Sequence, residues 1–88
     1  MNEDQSENDF KEQLEKHHVF PGSYTFKFIL PALKIGMIKA ILPKDVIVLK
    51  PSRNGKYVSV TAKMKVESSD DVIRIYKEAA NIEDIIKL

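Results

Sequence analysis

The stretch Leu49-Lys-Pro-Ser-Arg-Asn-Gly-Lys-Tyr-Val-Ser-Val-Thr-Ala-Lys63 decides the fold. It contains a glycine flanked by cations, which suits either a phosphate-cradling loop or the bend between two strands. A Walker-type loop needs G-x-x-x-x-G-K-[ST] between a strand and a helix. Here the spacing differs, and an alternating run, Tyr57 to Val66, follows the glycine. Asn54-Gly55 is the preferred pair for a two-residue type I′ hairpin turn, whose two central residues need φ > 0. That turn pairs Arg53 with Lys56. Counting outward, Leu49 faces Val60, Ile47 faces Ala62 and Lys50 faces Ser59. The apolar residues then share one face without conflict, so the register is self-consistent.

Outward from the hairpin, residues 46–50 read as a short β-branched strand. In the strand 57–66, Val58, Val60, Ala62, Met64 and Val66 face inward and Ser59, Thr61, Lys63 and Lys65 outward. Upstream, Phe20-Pro21-Gly22-Ser23 signals a turn. Tyr24, Phe26, Phe28 and Leu30 then alternate with Thr25, Lys27 and Ile29, a half-buried strand with its aromatics inward. Pro31 suits a helix start. Residues 31–42 carry an apolar stripe of Leu33, Met37, Ala40 and Ile41, widened by Ile35, Ile38 and Leu42; Pro43 ends it. Downstream, Ser68 reads as an N-cap with Asp70 and Asp71 in the first turn. Val72, Ile75, Tyr76 and Ala79 form the buried stripe, and Asn81 suits a left-handed helix end. Residues 84–88 read as a final strand. The order β-α-β-β-α-β predicts an α+β, ferredoxin-like sandwich: a four-stranded antiparallel sheet with two helices on one face.

The first eighteen residues stand apart. They carry six acids against two lysines, whereas the remainder carries twelve bases against seven acids. Residues 1–18 are therefore read as an acidic leader, mostly disordered or marginally helical, ahead of a domain spanning 19–88. Phe10 and Leu14, four apart, are its candidates to cover the second stripe of the first helix. A solvated leader is one reading; a leader that screens a basic face is the other. Eighty-eight residues allow one domain, and 43% hydrophobic with 31% charged residues is a normal globular balance. There is no cysteine. That excludes disulfides and thiolate metal sites and favours a reducing compartment. No apolar run approaches the ~20 residues of a bilayer span, and the polar, acidic start is unlike a signal peptide. The expected location is cytoplasmic, with no membrane partner.

The run Lys50-Pro51-Ser52, with Gly55, Tyr57, Ser59 and Val60, and with Phe20-Pro21 thirty residues upstream, resembles the YbeD-like family of small bacterial proteins of unknown function. The resemblance covers residues 19–88. It implies the ferredoxin-like sandwich, which is similar to ACT-type regulatory domains, and a regulatory role in metabolism. Lipoate or amino-acid pathways are the usual suggestion. It assigns no catalytic residue.

Chemistry-bearing residues are sparse. A nucleophilic site needs an oriented base; only His17 and His18 are available, and adjacent helical positions do not converge on a metal. Asp70 and Asp71 are read as helix-dipole charges. Tyr76 reads as core, and Tyr57 either caps the core or lines a surface site. No catalytic, cofactor or metal residue is assigned, and the chain is not expected to be an enzyme. The candidate interaction surface is Lys27, Lys50, Ser52, Arg53, Tyr57, Ser59, Lys63 and Lys65. The expected function is a non-catalytic regulatory or adaptor domain acting through a protein partner, a weak homodimer or a small metabolite. ACT domains bind amino acids where the first strand meets its helix, usually at a glycine. Leu30-Pro31-Ala32 stands there instead, which favours a protein. Homodimer pairing is expected through Ile85–Leu88, an edge protected only by Lys87. The alternative is nucleic-acid binding on the lysine-bearing sheet face, although an RNA-reading sheet stacks bases on outward aromatics.

Overall fold

A computed structural model describes residues 3–88, with side chains characterised from residue 7 onward. The elements are α1 (Glu3–His17), β1 (Gly22–Pro31), a 3-10 turn Ala32–Lys34 leading into α2 (Ile35–Lys39), a second 3-10 turn Lys44–Val46, β2 (Ile47–Pro51), β3 (Tyr57–Val66), α3 (Ser69–Ala79) and β4 (Ile86–Lys87). The sheet is antiparallel in the order β2-β3-β1-β4, the ferredoxin-like arrangement.

Strand parity is as the alternation dictates. Phe26, Phe28 and Leu30 of β1 and Val60 and Ala62 of β3 are completely buried. Ile38 and Leu42, then Val72, Ile75 and Ala79 of α3, close over them in one core. Phe26 stacks parallel to Phe28 at 6.4 Å between centroids, and Tyr76 meets both rings at 5.4 and 5.6 Å. Tilted and edge-on aromatic pairs of this kind add to the burial of the rings themselves.

The hairpin register is as expected, with Ile47↔Ala62, Leu49↔Val60 and Lys50↔Ser59. The turn is not. Only Gly55 has a positive φ, at 75°; Asn54 does not, so type I′ is excluded. Arg53 and Lys56 do not pair. Instead the Ser52 N–H donates to the Tyr57 carbonyl at 2.8 Å, and the Gly55 N–H to the Ser52 carbonyl at 3.0 Å. Side chains select this wider loop. Ser52 Oγ accepts the Tyr57 N–H, and Asn54 Oδ1 accepts the Lys56 N–H. These local bonds compete with a tighter turn.

The first helix departs most from expectation. Its α-helical part is five residues long, and the 3-10 turn before it advances the chain at three residues per turn. The buried face shifts accordingly, to Ile38 and Leu42 with Ile35 and Ile41 half-buried. Leu33 is fully exposed, Met37 is half exposed, and Ala40 lies at the surface.

The leader is helical from Glu3 to His17, more than the single marginal turn its composition suggests; the expectation of disorder at residues 1–2 lies outside the described residues. It packs on α3, not on α2. Leu14 is buried, and Phe10 meets Tyr76 edge-on at 5.7 Å. Ser69 Oγ donates to Glu15 Oε2 at 2.7 Å. Lys11 pairs with Asp70 at 3.1 Å, and Glu7 with Lys77. The hydrogen bond and charge of Asp70 hold the Lys11 ammonium protonated above its ordinary range. Its described acids that make ion pairs or cross-helix hydrogen bonds thus engage α3 and leave the basic hairpin uncovered.

At the start of α3, Ser68 occupies the cap position without a side-chain bond; Asp71 Oδ2 accepts the Glu67 N–H at 3.0 Å. At its end Asn81 is not left-handed. Short bonds from Asn81 to Glu78 and from Ile82 to Ala79 tighten the last turn and seat Ile82 in the core. Asp84 takes the positive φ, at 66°, so β4 is two residues rather than five.

Candidate functional site

Cross-strand pairing arranges the outer sheet face in rows. One row runs Lys50–Ser59–Ile29–Ile86, the next holds Val48, Thr61 and Lys27, and beyond them lie Thr25 with Lys63 and Ser23 with Lys65. The eight expected surface residues therefore do not form one site. Lys50, Ser52, Tyr57 and Ser59 line a shallow groove of about 180 Å³ with Ile29 and Val58. Arg53 lies in the adjoining turn and is exposed. Lys27 sits one row inward. Lys65 lies eight positions from Tyr57, roughly 27 Å along β3 at ~3.4 Å per residue.

Tyr57 belongs to the outer face by parity and is 46% exposed, so it lines a surface site and does not cap the core. Its other side borders a second groove of about 430 Å³, lined by Pro31, Ala32, Leu33, Gly55 and Lys56. The ring thus stands between two depressions, with Leu33 beside it. Reading residues 31–42 as one continuous helix assigned Leu33 to the core, and so missed it. A charge count points to the same region: residues 31–60 hold six bases (Lys34, Lys39, Lys44, Lys50, Arg53, Lys56) and one acid, Asp45. Of these cations Lys34 is held by Glu83, at 3.6 Å.

The groups that would do chemistry are engaged elsewhere. Ser52 Oγ donates to Asn54 Oδ1 at 3.1 Å while accepting from Tyr57, so it braces the turn. The Ala32 N–H, at the junction where an ACT-type domain offers backbone to a ligand, donates to the Lys56 carbonyl at 2.9 Å. His17 and His18 are both exposed, and the His18 ring also packs edge-on against Tyr24 at 5.0 Å. Among the described residues no group of three or more His, Asp or Glu is placed to hold a metal ion. None of the described helices is long and apolar enough to cross a membrane.

A third depression, about 310 Å³, lies between Phe10, Tyr24, Tyr76, Lys87 and Leu88. The Tyr24 and Tyr76 hydroxyls meet there at 3.2 Å. Burial first, and then the bond to Tyr24, push the Tyr76 hydroxyl well above the ordinary tyrosine range. Such a group stays neutral at any physiological pH and donates or accepts hydrogen bonds without acting as a base.

Residues 15–88 match the model of a family described as "Protein of unknown function (DUF493)". No curated protein and no solved structure matches the chain.

Proposed function

The chain belongs to the DUF493 family of proteins of unknown function, and on that premise we propose that it is a non-catalytic adaptor or regulatory domain that docks a protein partner at the hairpin end of its sheet. The observation that carries this reading is the surface around Leu33. That side chain is 100% exposed and shares one groove with Tyr57, itself 46% exposed, and with Lys56. Large apolar side chains gathered in a cationic surround have the composition of an interface anchor with a polar rim. The metabolite form of the reading has less support, since the Ala32 N–H is already bonded. So has nucleic-acid reading: Phe26 and Phe28 are buried, leaving Tyr57 alone among the strand aromatics on the outer face.

The test is affinity capture from the native lysate with wild type and Leu33→Asp side by side. A defined protein retained by wild type and lost with Leu33→Asp is the expected result. Equal retention by both, or salt-sensitive recovery of nucleic acid alone, overturns the reading. Leu33 has no buried area to lose, so the variant keeps the fold.

A further inference from the structure

We propose that the open edge of β2 takes an extended acidic segment of the partner as a fifth strand. This rests on the adaptor reading and specifies how the partner is held. β2 is the outermost strand of its side of the sheet. In an antiparallel ladder, directly opposed residues alternate between bonded and non-bonded pairs. The Ser52 N–H donates to the Tyr57 carbonyl. Counting back along the register, Lys50 and Val48 bond to β3 through Ser59 and Thr61. Leu49 therefore turns its N–H and C=O to the open side and Ile47 its C=O, while the Ile47 N–H is taken by the Lys44 carbonyl. Pro51, with no N–H, ends that row, so the edge offers the Leu49 donor between the carbonyls of Ile47 and Leu49, a short but defined pairing register.

Edges of this kind are usually blunted by charge, bulges or covering segments. Here the side-chain bond and ion pairs of α1 among the described residues go to α3, and Val48 to Pro51 of β2 stay exposed. Val48 lies exposed on one face of the strand, and Leu49, at 36% exposure, is only partly covered on the other. An added strand would find an apolar neighbour on each face, which is how strand addition combines main-chain affinity with side-chain selectivity.

Charge chooses the occupant. Five cations of residues 31–60 (Lys39, Lys44, Lys50, Arg53, Lys56) take part in none of the ion pairs among the described residues. A second copy adding its own β2 would bring the same cations together, and like charges across a pair are repulsive. A segment alternating acidic and apolar residues matches both features: its acids meet Lys50 and the hairpin cations, and its apolar residues continue the row of Ile47 and Leu49.

The experiment is a titration of the ¹⁵N-labelled full chain with a capped seven-residue peptide of alternating Glu and Val. Amide signals of residues 46–53 are expected to shift, and the Leu49 amide to exchange at least tenfold more slowly. The same peptide with Lys for Glu, or with Pro at two of its Val positions, is expected not to bind. Lys50→Glu combined with Arg53→Glu, both exposed positions, is expected to weaken binding at least fivefold without changing the circular dichroism spectrum. The inference is overturned by equal binding of the Pro peptide, by shifts confined to Phe10, Ile73 and Tyr76 or to Lys63 and Lys65, by concentration-dependent shifts of β2 without peptide, or by no binding at millimolar peptide. In each of those cases the adaptor reading still stands if Leu33→Asp abolishes capture.

Discussion

Truncating Leu14 to alanine tests whether the leader is part of the folded unit. An isolated helix of fifteen residues is marginal in water, so α1 is held by what it touches. The Leu14 side chain is 3% exposed, and burying a leucine contributes roughly 1.5–3 kcal/mol. The Ser69–Glu15 bond, 2.7 Å with a charged acceptor, is of the stronger hydrogen-bond kind, ~1.5 kcal/mol or more. The ion pair of Lys11 faces solvent and is screened by salt. Leu14→Ala should therefore cost about 2–3 kcal/mol, the low end of the core range because a surface helix can settle inward. For a domain of this size that lowers the Tm by about 10–20 °C. Thermal unfolding by circular dichroism measures it, and hydrogen exchange locates it: amides of residues 7–17 should lose protection first. A Tm within 2 °C of wild type, with exchange in α1 already at the unfolded rate in both proteins, would refute the docked helix.

Gly55→Ala should destabilise by about 1 kcal/mol, read as a lower denaturation midpoint; the added methyl meets nothing within 4 Å, so the cost is the φ of 75° alone. Gly36→Ala, also in open space but inside α2, should raise the same midpoint by the equivalent of roughly 0.5–1 kcal/mol. Tyr76→Phe should remove the most alkaline phase of the phenolate absorbance titration. Because its folded pKa is raised, the contribution of Tyr76 to stability is complete below the ordinary value of 10.0 and is lost as pH rises above it. Wild-type stability should therefore fall more steeply above pH 10 than that of Tyr76→Phe.

The sheet was legible because period-two alternation needs no knowledge of distant neighbours. Phe26 and Phe28 point inward whatever covers them, and Leu49 opposite Val60 follows from matching two apolar rows. The hairpin turn was misread because Asn54-Gly55 is a local signal that a second local signal, the Ser52 hydroxyl on the Tyr57 N–H, outcompetes. The first helix was misread through its period. A 3.6-residue wheel run unbroken from residue 31 places Leu33 with Met37 and Ile41, whereas the 3-10 turn at 32–34 resets the phase, so that Ile38 and Leu42 take the buried face and Leu33 is left to solvent. The leader was misjudged for a different reason: Glu15 and Ser69, fifty-four positions apart, meet only once the domain has folded. The basic hairpin end was visible in charge content, but the exposed Leu33 beside it was not, since exposure of one leucine depends on where a helix begins.

Placing a photoreactive phenylalanine analogue at position 57, and separately at position 25 on the same sheet face, tests the hairpin-end surface in living cells. Thr25 pairs with Lys63, six rows from the Pro31–Tyr57 pair, and is also exposed. The account predicts protein adducts from position 57 and none from position 25. Adducts from position 25 alone, or nucleic acid as the cross-linked species at either position, would contradict it.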